Sequence, residues 1–509
     1  MVEVAPFYEE LTALDAFFLY AERQEAPLHI GAVYVFEGEA QVPGGRGAQG
    51  VVETLQERLH LVPRYRQKVR FRPLNIGHPV WVDDADFDLG YHVRRASLPA
   101  PGDDDTLREY AARVLARRLD LKRPLWELYV VEGLTGGRVA LVNKVHHAMV
   151  DGISGVDIAT LLFDMEPEPR AVTPAPWRPR PEPDEMSLAL SNLDGLRQVA
   201  SINPLAINPF TLPSRVQGLV RDAAREALAS PWAGAATLAM SLLRPGPQLS
   251  FNRMIGPHRR FHHLQVPLAA LKEVKDVFAA TVNDVVLAVV AEALHRWLVE
   301  QGETPPDTLR VFCPVSVRDD AQRYALGNQV SGMVVSLPLG PMPAVTRLAR
   351  VSAEMGELKR SGQAVAARSL TALTSWAPAT LHALGSRLAS EPRFGLQSRV
   401  NMVVTNVPGP QVPFYTGGAR MTEVWPFVPV YHTLGLNVAL VSYDGTVHFG
   451  LNADRDLVPD LGRFARHLEE SASEFLAMAR RLRRPFTRSS KAAGRERRGR
   501  GRGARKPAG

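Results

Sequence analysis

A run of prolines divides the chain of 509 residues into two parts. Seven of the seventeen residues from 167 to 183 are proline. Proline fixes φ and has no backbone N–H to donate, so such a segment is extended and semi-rigid. The sequence therefore predicts folded units joined by a linker, in agreement with the two to three domains expected for about this length.

Hydrophobic patterns predict both helices and strands on each side of the linker. In the first part we expect a helix over 12–23 with Thr12 as its N-cap, and strands over 28–37, 126–131 and 138–145. In the second part we expect a buried helix over 283–298 and a closing helix over 457–481, with strands over 309–317, 330–337, 399–405, 434–442 and 446–451. The predicted fold class is α+β. The predicted domains are 1–166, a proline-rich and helical linker over 167–257, a second domain over 258–482, and a disordered tail over 483–509.

Composition excludes several classes of protein. Cys313 is the one cysteine, so the chain cannot form an internal disulfide or a multi-cysteine metal site, and we expect no metal. The N-terminus is acidic and lacks the pattern of a signal peptide. The most apolar run, 232–243, is shorter than the roughly 20 residues of a membrane-spanning helix. We therefore expect a cytoplasmic protein that is soluble or bound to a membrane surface.

The net charge of +7 is concentrated in the tail. From Arg480 onward there are thirteen Lys and Arg residues against one acid, Glu496, whereas the rest of the chain carries a net charge of −5. A basic tail of this kind fits an anionic membrane, a solvated end or, less well, a nucleic acid. We expect no nucleic-acid partner.

One motif points to catalysis: His146-His147-x-x-x-Asp151-Gly152, between an apolar strand and a predicted helix. Composition alone would produce it about 0.001 times per chain. Imidazole is the side chain best suited to take a proton near neutral pH, and Gly152 leaves room for a substrate or backbone. The alternative is two packed histidines at a strand end, followed by an aspartate that caps a helix. The pair His262-His263 lacks the Asp-Gly sequence, and we expect it to be structural.

The motif is the signature of acyltransferases related to chloramphenicol acetyltransferase and to peptide-synthetase condensation domains. More segments resemble one branch, the bacterial wax ester synthase/diacylglycerol acyltransferases. These segments are residues 11–19, the PLW motif at 124–126, the ND motif at Asn283-Asp284, and the stretches 314–318, 327–328 and 404–410. The resemblance runs from about residue 8 to 480 in the family's order.

The resemblance implies two pseudo-symmetric chloramphenicol acetyltransferase-like domains with the motif at their interface. His147 would be the general base that deprotonates an acceptor hydroxyl, which then attacks a thioester directly. His146 would support the site, and Asp151 would orient the loop. No cofactor is implied beyond acyl-CoA as co-substrate, and Cys313 need not act as a nucleophile.

A donor to the developing oxyanion is also required. The candidates are Asn283, Ser316, Thr405 and Asn406, and Trp126 of the PLW motif is a further candidate for substrate contact. Each has a structural alternative. Asn283 could cap its helix, Ser316, Thr405 and Asn406 could satisfy backbone groups, and Trp126 could pack in the core.

The expected function is esterification of diacylglycerol or a long-chain alcohol with acyl-CoA, on the inner face of the membrane or on lipid droplets. Two alternatives stay open. One is a condensation-type acyltransferase that uses carrier-bound thioesters, and the other is a lipid-body-binding protein without catalysis.

Overall fold

The structure, a computed structural model, describes residues 8–38, 47–73, 77–149, 161–190, 246–316, 330–360 and 399–483. Its strands are β1 (Glu9–Glu10), β2 (His29–Phe36), β3 (Gln67–Arg70), β4 (Val80–Asp83), β5 (Val93–Ser97), β6 (Trp126–Glu132), β7 (Val139–His146), β8 (Arg259–Pro267), β9 (Thr308–Ser316), β10 (Val330–Pro338), β11 (Met402–Pro408), β12 (Tyr415–Thr416), β13 (Ala419–Phe427), β14 (Leu436–Tyr443) and β15 (Thr446–Asp454). Its helices are α1 (Ala13–Ala21), α2 (Gly47–Arg58), α3 (Leu89–His92), α4 (Asp104–Leu115), α5 (Glu185–Leu190), α6 (Leu268–Phe278), α7 (Val282–Glu300), α8 (Ala344–Arg360) and α9 (Leu461–Arg483).

The described strands form three sheets. The N-terminal sheet has the order β12-β13-β2-β7-β6-β5, and the C-terminal sheet has the order β10-β9-β11-β14-β15-β8. A small sheet, β1-β4-β3, stands beside the first. Both large sheets mix parallel and antiparallel pairs, and with the helices they form the predicted α+β fold.

Strand β13 crosses from the second half of the chain into the N-terminal sheet and is not among the strands predicted from the sequence. It pairs antiparallel with β2, from Met421 opposite Phe36 to Phe427 opposite Gly31. The crossing strand passes close to β15. A Cβ on Gly450 of β15 would lie only 1.6 Å from the carbonyl oxygen of Pro426, so the approach requires a glycine. The C-terminal unit predicted at 258–482 therefore does not keep all its strands in its own sheet.

The core of the C-terminal half lies between its sheet and the helices α6 to α9. Helix α7 is apolar on most of its faces and buried along most of its length, as the sequence predicts. No single described helix meets the length and hydropathy that a membrane span requires, although α6 and α7, bent at 99°, meet them as a pair. Most of α7 is instead packed in this core.

The described part of the linker, up to residue 190, is fastened to the first half. Just before the linker, Asp164 pairs through its backbone with Tyr415 of β12 in the N-terminal sheet, at 2.8 and 2.9 Å. Arg180 binds the carboxylate of Asp83 through Nε at 2.9 Å and Nη2 at 3.1 Å. Leu188 of α5 is buried against β4. The proline-rich stretch has no helix or strand, as predicted, but it packs on the small sheet and is not a free linker.

Candidate active site

The two histidines of the motif lie where β7 gives way to a 3-10 turn over His147–Met149. His146 ends the strand, opposite His29 of β2, and its backbone N–H donates to Leu125 O at 2.9 Å. The backbone N–H of His147 donates to Leu28 O, also at 2.9 Å. Backbone contacts to β2 and to the PLW segment therefore fix the start of the motif.

Helix α1 and its C-cap residue, Glu22, contact the two imidazoles. The ring of Phe18 stacks on the ring of His147 with centroids 3.8 Å apart and an interplanar angle of 14°. One turn later, Glu22 Oε1 lies 3.6 Å from His146 Nε2. Residues four apart share one face of a helix. The helix forms as predicted, because the side chain of Thr12 accepts the N–H of Asp15 as its N-cap.

His146 is fully buried and its tautomer follows from its contacts. Nδ1 accepts a hydrogen bond from the backbone N–H of Ala148 at 3.1 Å, so the proton of the neutral ring is on Nε2, which faces Glu22. Burial by itself would raise the pKa of Glu22. The interaction with His146 and the positive charge of Arg118 outweigh it and lower that pKa to about 2.

His147 is half-buried and neutral at physiological pH. Burial, with a smaller contribution from the neighbouring His146, lowers its pKa to about 4. Among the described residues, none forms a hydrogen bond with its buried Nδ1 atom. A neutral imidazole with free acceptor capacity can take a proton from a bound hydroxyl group.

The structure brings two of the oxyanion candidates together. Asn406, on β11, donates from Nδ2 to Oδ1 of Asn283, on α7, at 3.3 Å. Asn283 does not cap its helix, so that alternative is wrong. Thr281 is the N-cap and forms a reciprocal capping box with Asp284. The side chain of Asn283 is therefore available for other contacts.

This asparagine pair lies where the C-terminal sheet adjoins the N-terminal half. Val407, which follows Asn406, is opposite Val441 of β14. Val441 packs against the hydrophobic cluster that also contains Ala148 and Met149 of the motif's turn. No hydrogen bond or ion pair within the described part of the chain joins the asparagines to the histidines.

The other candidates fall into three groups. Trp126 is fully buried, its indole N–H donates to Tyr65 O at 2.8 Å, and its ring stacks on His92, which is a packing role. Thr405 is half-buried on β11, next to Asn406. Asp151 and Gly152 lie outside the described residues, as does the side chain of Ser316 at the end of β9.

Cys313 cannot act as a thiolate, because burial raises the pKa of its thiol to about 12. No group of three or more His, Cys, Asp or Glu side chains within the described ranges could hold a metal ion.

His262 and His263 have structural contacts, as expected. The ring of His263 stacks on Trp425 of β13 at 3.7 Å, and its Nε2 lies 3.5 Å from the carboxylate of Glu423. The pair joins β8 to the crossing strand.

Comparison with known proteins agrees with this architecture. Residues 11–286 match the wax ester synthase/diacylglycerol acyltransferase catalytic domain, and residues 326–475 match the C-terminal domain of the same enzymes. A probable diacylglycerol O-acyltransferase of Mycobacterium tuberculosis H37Rv, tgs1, is 35% identical over 491 residues, with 92% of this chain and 96% of the relative covered. A second from the same strain, tgs2, is 34% identical over 469 residues, with 90% and 97% covered.

Solved structures support the same fold. The wax ester synthase/diacylglycerol acyltransferase from Marinobacter aquaeolei VT8 superposes with a TM-score of 0.65 at 27% identity, covering 92% of this chain and all of that one. The starter condensation domain of rhizomide synthetase RzmA shares the fold, with a TM-score of 0.56 at 14% identity over 93% and 94% of the two chains. The predicted acyltransferase fold and the resemblance are thus confirmed. The chain belongs to the wax ester synthase/diacylglycerol acyltransferase family.

Proposed function

We propose that the protein transfers an acyl group from acyl-CoA to the hydroxyl of diacylglycerol or of a long-chain alcohol, which yields triacylglycerol or a wax ester. Family membership supports the reaction class. The observation that carries the mechanism is the neutral ring of His147, packed on Phe18 and joined through its backbone to β2.

In the proposed step, His147 accepts the proton of the acceptor hydroxyl as the oxygen attacks the thioester carbonyl. The C–S bond breaks when the tetrahedral intermediate collapses, and the proton passes to the departing thiolate of CoA. Asn406, held by Asn283, is the best-placed described candidate to donate a hydrogen bond to the oxyanion. We propose that no metal or prosthetic group is needed, so turnover should persist in EDTA.

The test uses purified protein and its His147→Ala variant with palmitoyl-CoA and either hexadecanol or diacylglycerol. Release of CoA is followed, and the lipid products are identified by mass spectrometry. We expect the variant to keep its fold and to lose roughly 10²- to 10⁴-fold in turnover. Unchanged turnover in a folded variant would contradict the assignment of the base. Turnover only with carrier-bound acyl groups would favour the condensation-type reaction instead.

We further propose that the enzyme works at the cytoplasmic face of a membrane or on lipid droplets, where its apolar acceptor resides. The thirteen Lys and Arg residues from Arg480 onward support this, since each contributes about 1 kcal/mol near an anionic leaflet. Flotation with phosphatidylglycerol vesicles should recover the full chain, and removal of residues 484–509 should reduce recovery. Equal recovery on neutral phosphatidylcholine vesicles would exclude an electrostatic role for the tail.

A further inference from the structure

Arg118, in the loop after α4, reaches from the surface to the buried carboxylate beside the histidine pair. Its Nε and Nη2 donate to Glu22 Oε2 at 2.9 and 2.6 Å. The side chain of Arg118 is 37% exposed, whereas that of Glu22 is 1% exposed. We propose that Arg118 is a positioning residue of the acyl transfer, acting through Glu22 on both histidines. The inference rests on the proposed function.

The contacts of Glu22 divide between its two oxygens. Oε2 is occupied by Arg118, which leaves Oε1 for the site. Oε1 accepts the backbone N–H of Leu28 at 3.2 Å and faces His146 Nε2 at 3.6 Å. Arg118 holds Oε2 through two charged donors while the Leu28 N–H holds Oε1, so the two contacts together set the direction in which Oε1 faces His146.

Leu28 extends this arrangement to His147. Its N–H donates to Glu22, and its carbonyl accepts the N–H of His147 at 2.9 Å. A shift of the carboxylate therefore acts on His146 through its ring and on His147 through its backbone. Reacting groups must keep their geometry closely, and a misplacement of about 1 Å can cost about 100-fold in rate.

Arg118 and His146 together keep Glu22 charged in a buried place. Glu22 interacts with Arg118 from the loop after α4, His146 from β7 and His29 from β2, and Lys144 also interacts with His29. His29 and Lys144 bind the last carbonyls of α4 and its loop instead, at Leu115 O and Arg117 O. Without Arg118 the Glu22 carboxylate keeps the interaction with His146 but loses its second partner, so its pKa rises and its attraction for the Nε2–H of His146 weakens as the pH falls.

The neighbouring Arg117 provides a matched control. It is exposed, and among the described residues no carboxylate pairs with its side chain. Only its backbone carbonyl is used, by Lys144, and an alanine keeps that carbonyl. Arg117→Ala thus removes the same charge from the same loop but leaves Glu22 untouched.

The experiment measures kcat and KM from pH 5 to 9 for the wild type, Arg118→Ala, Arg118→Lys and Arg117→Ala, with palmitoyl-CoA and diacylglycerol. We expect Arg118→Ala to lose about 10- to 100-fold in kcat with KM values within about twofold. The acid limb of its kcat profile should move to higher pH. Arg118→Lys should recover part of the loss, and Arg117→Ala should match the wild type.

A double-mutant cycle tests whether Arg118 acts through Glu22. If it does, Arg118→Ala adds no further loss of kcat to Glu22→Gln. The inference is overturned if Arg118→Ala has the kcat and pH profile of Arg117→Ala, or if the two losses add fully. An inactive wild type would contradict the proposed function, whereas an active wild type with an unaffected Arg118→Ala variant contradicts only the positioning role. Should Arg118→Ala not fold, Arg118→Lys and Arg118→Gln carry the same comparison.

Discussion

Among the candidate oxyanion donors, Asn406 is the one whose role the contacts define best. Its amide donates one proton to Asn283, and within the described part of the chain the second proton is available for an oxyanion. Thr405, its neighbour on β11, is also half-buried, but its side chain alternates to the other face of the strand. Variants at the two positions therefore distinguish the loss of an oxyanion donor from a general structural effect on β11.

We expect Asn406→Ala to lower kcat about 10²- to 10³-fold, the typical effect of losing one oxyanion donor. Thr405→Val, the control, should change kcat by less than about threefold. Steady-state kinetics with palmitoyl-CoA and diacylglycerol measure both. Equal losses in the two variants would show that β11 matters only as a support, and would remove Asn406 as the donor.

The histidine pair and the ND motif can be found in the sequence because the residues of each motif are adjacent along the chain. The sequence does not reveal Glu22, which is not among the predicted site residues. The one available signal was its position four residues after Phe18 on the predicted helix. Its partners, Arg118 and His146, are distant in sequence, and only the tertiary fold brings the three together.

Among the elements, the segment that leads into the linker has the clearest effect on stability. Arg58 of α2 is 1% exposed and its Nη2 binds both oxygens of Asp164, at 2.8 and 2.9 Å. Asp164 in turn pairs with Tyr415 beside the crossing strand. One buried ion pair thus joins α2 to the residue just before the linker, and through it to the second half of the chain.

We expect Arg58→Met to lower the free energy of unfolding by about 3–5 kcal/mol, because it leaves the carboxylate of Asp164 buried without its partner. Arg420→Ala removes an exposed pair with Asp444, and should cost no more than about 1 kcal/mol. Urea denaturation gives both values. A loss in Arg58→Met as small as in Arg420→Ala would mean that the pair contributes no more than a surface contact.

The proline-rich stretch shows what local patterns predict about an element. Its composition predicts the extended backbone correctly, because proline acts on its own φ. Its docking depends on Arg180 with Asp83, and on Trp177 stacked over Arg66. Such pairings between residues about 100 positions apart leave no periodic mark in the sequence, so the segment resembles a free linker.

At the scale of the whole molecule, buried histidines make stability depend on pH. Burial lowers the pKa of His147, His262 and His448 to about 4 each, and that of His29 well below its usual value. These rings stay neutral in the folded state, whereas in the unfolded chain they take up protons below about pH 6.5. The stability is therefore fully present above pH 6.5 and is lost as the pH falls toward 4.

His448, which is 1% exposed near Glu423 and His263, tests this dependence. Replacing it with glutamine should flatten the fall of unfolding free energy between pH 6 and 4.5 by up to about 1.4 kcal/mol per pH unit. The exposed His258 provides the control, and His258→Gln should keep the wild-type slope. Denaturant titrations at four pH values measure these slopes, and an unchanged slope in His448→Gln would refute the argument.

The two-domain α+β architecture could be predicted, since it follows from the order of helices and strands and from the family's motifs. The crossing of β13 from the second half of the chain into the N-terminal sheet could not be predicted. The partner of β13, β2, lies roughly 380 residues earlier, and a local pattern cannot predict a pairing over that separation. The close passage at Gly450 likewise depends on how the two sheets meet.

The crossing of β13 has a consequence for synthesis on the ribosome. Translation at about 5–20 residues per second needs roughly 20–75 s to reach β13 after β2 has emerged. Throughout this interval the hydrogen-bonding edge of β2 that β13 will occupy stands open, and such an edge invites pairing with other nascent chains. A premature stop codon anywhere before residue 419 therefore leaves the first half of the product unfinished as well as the second.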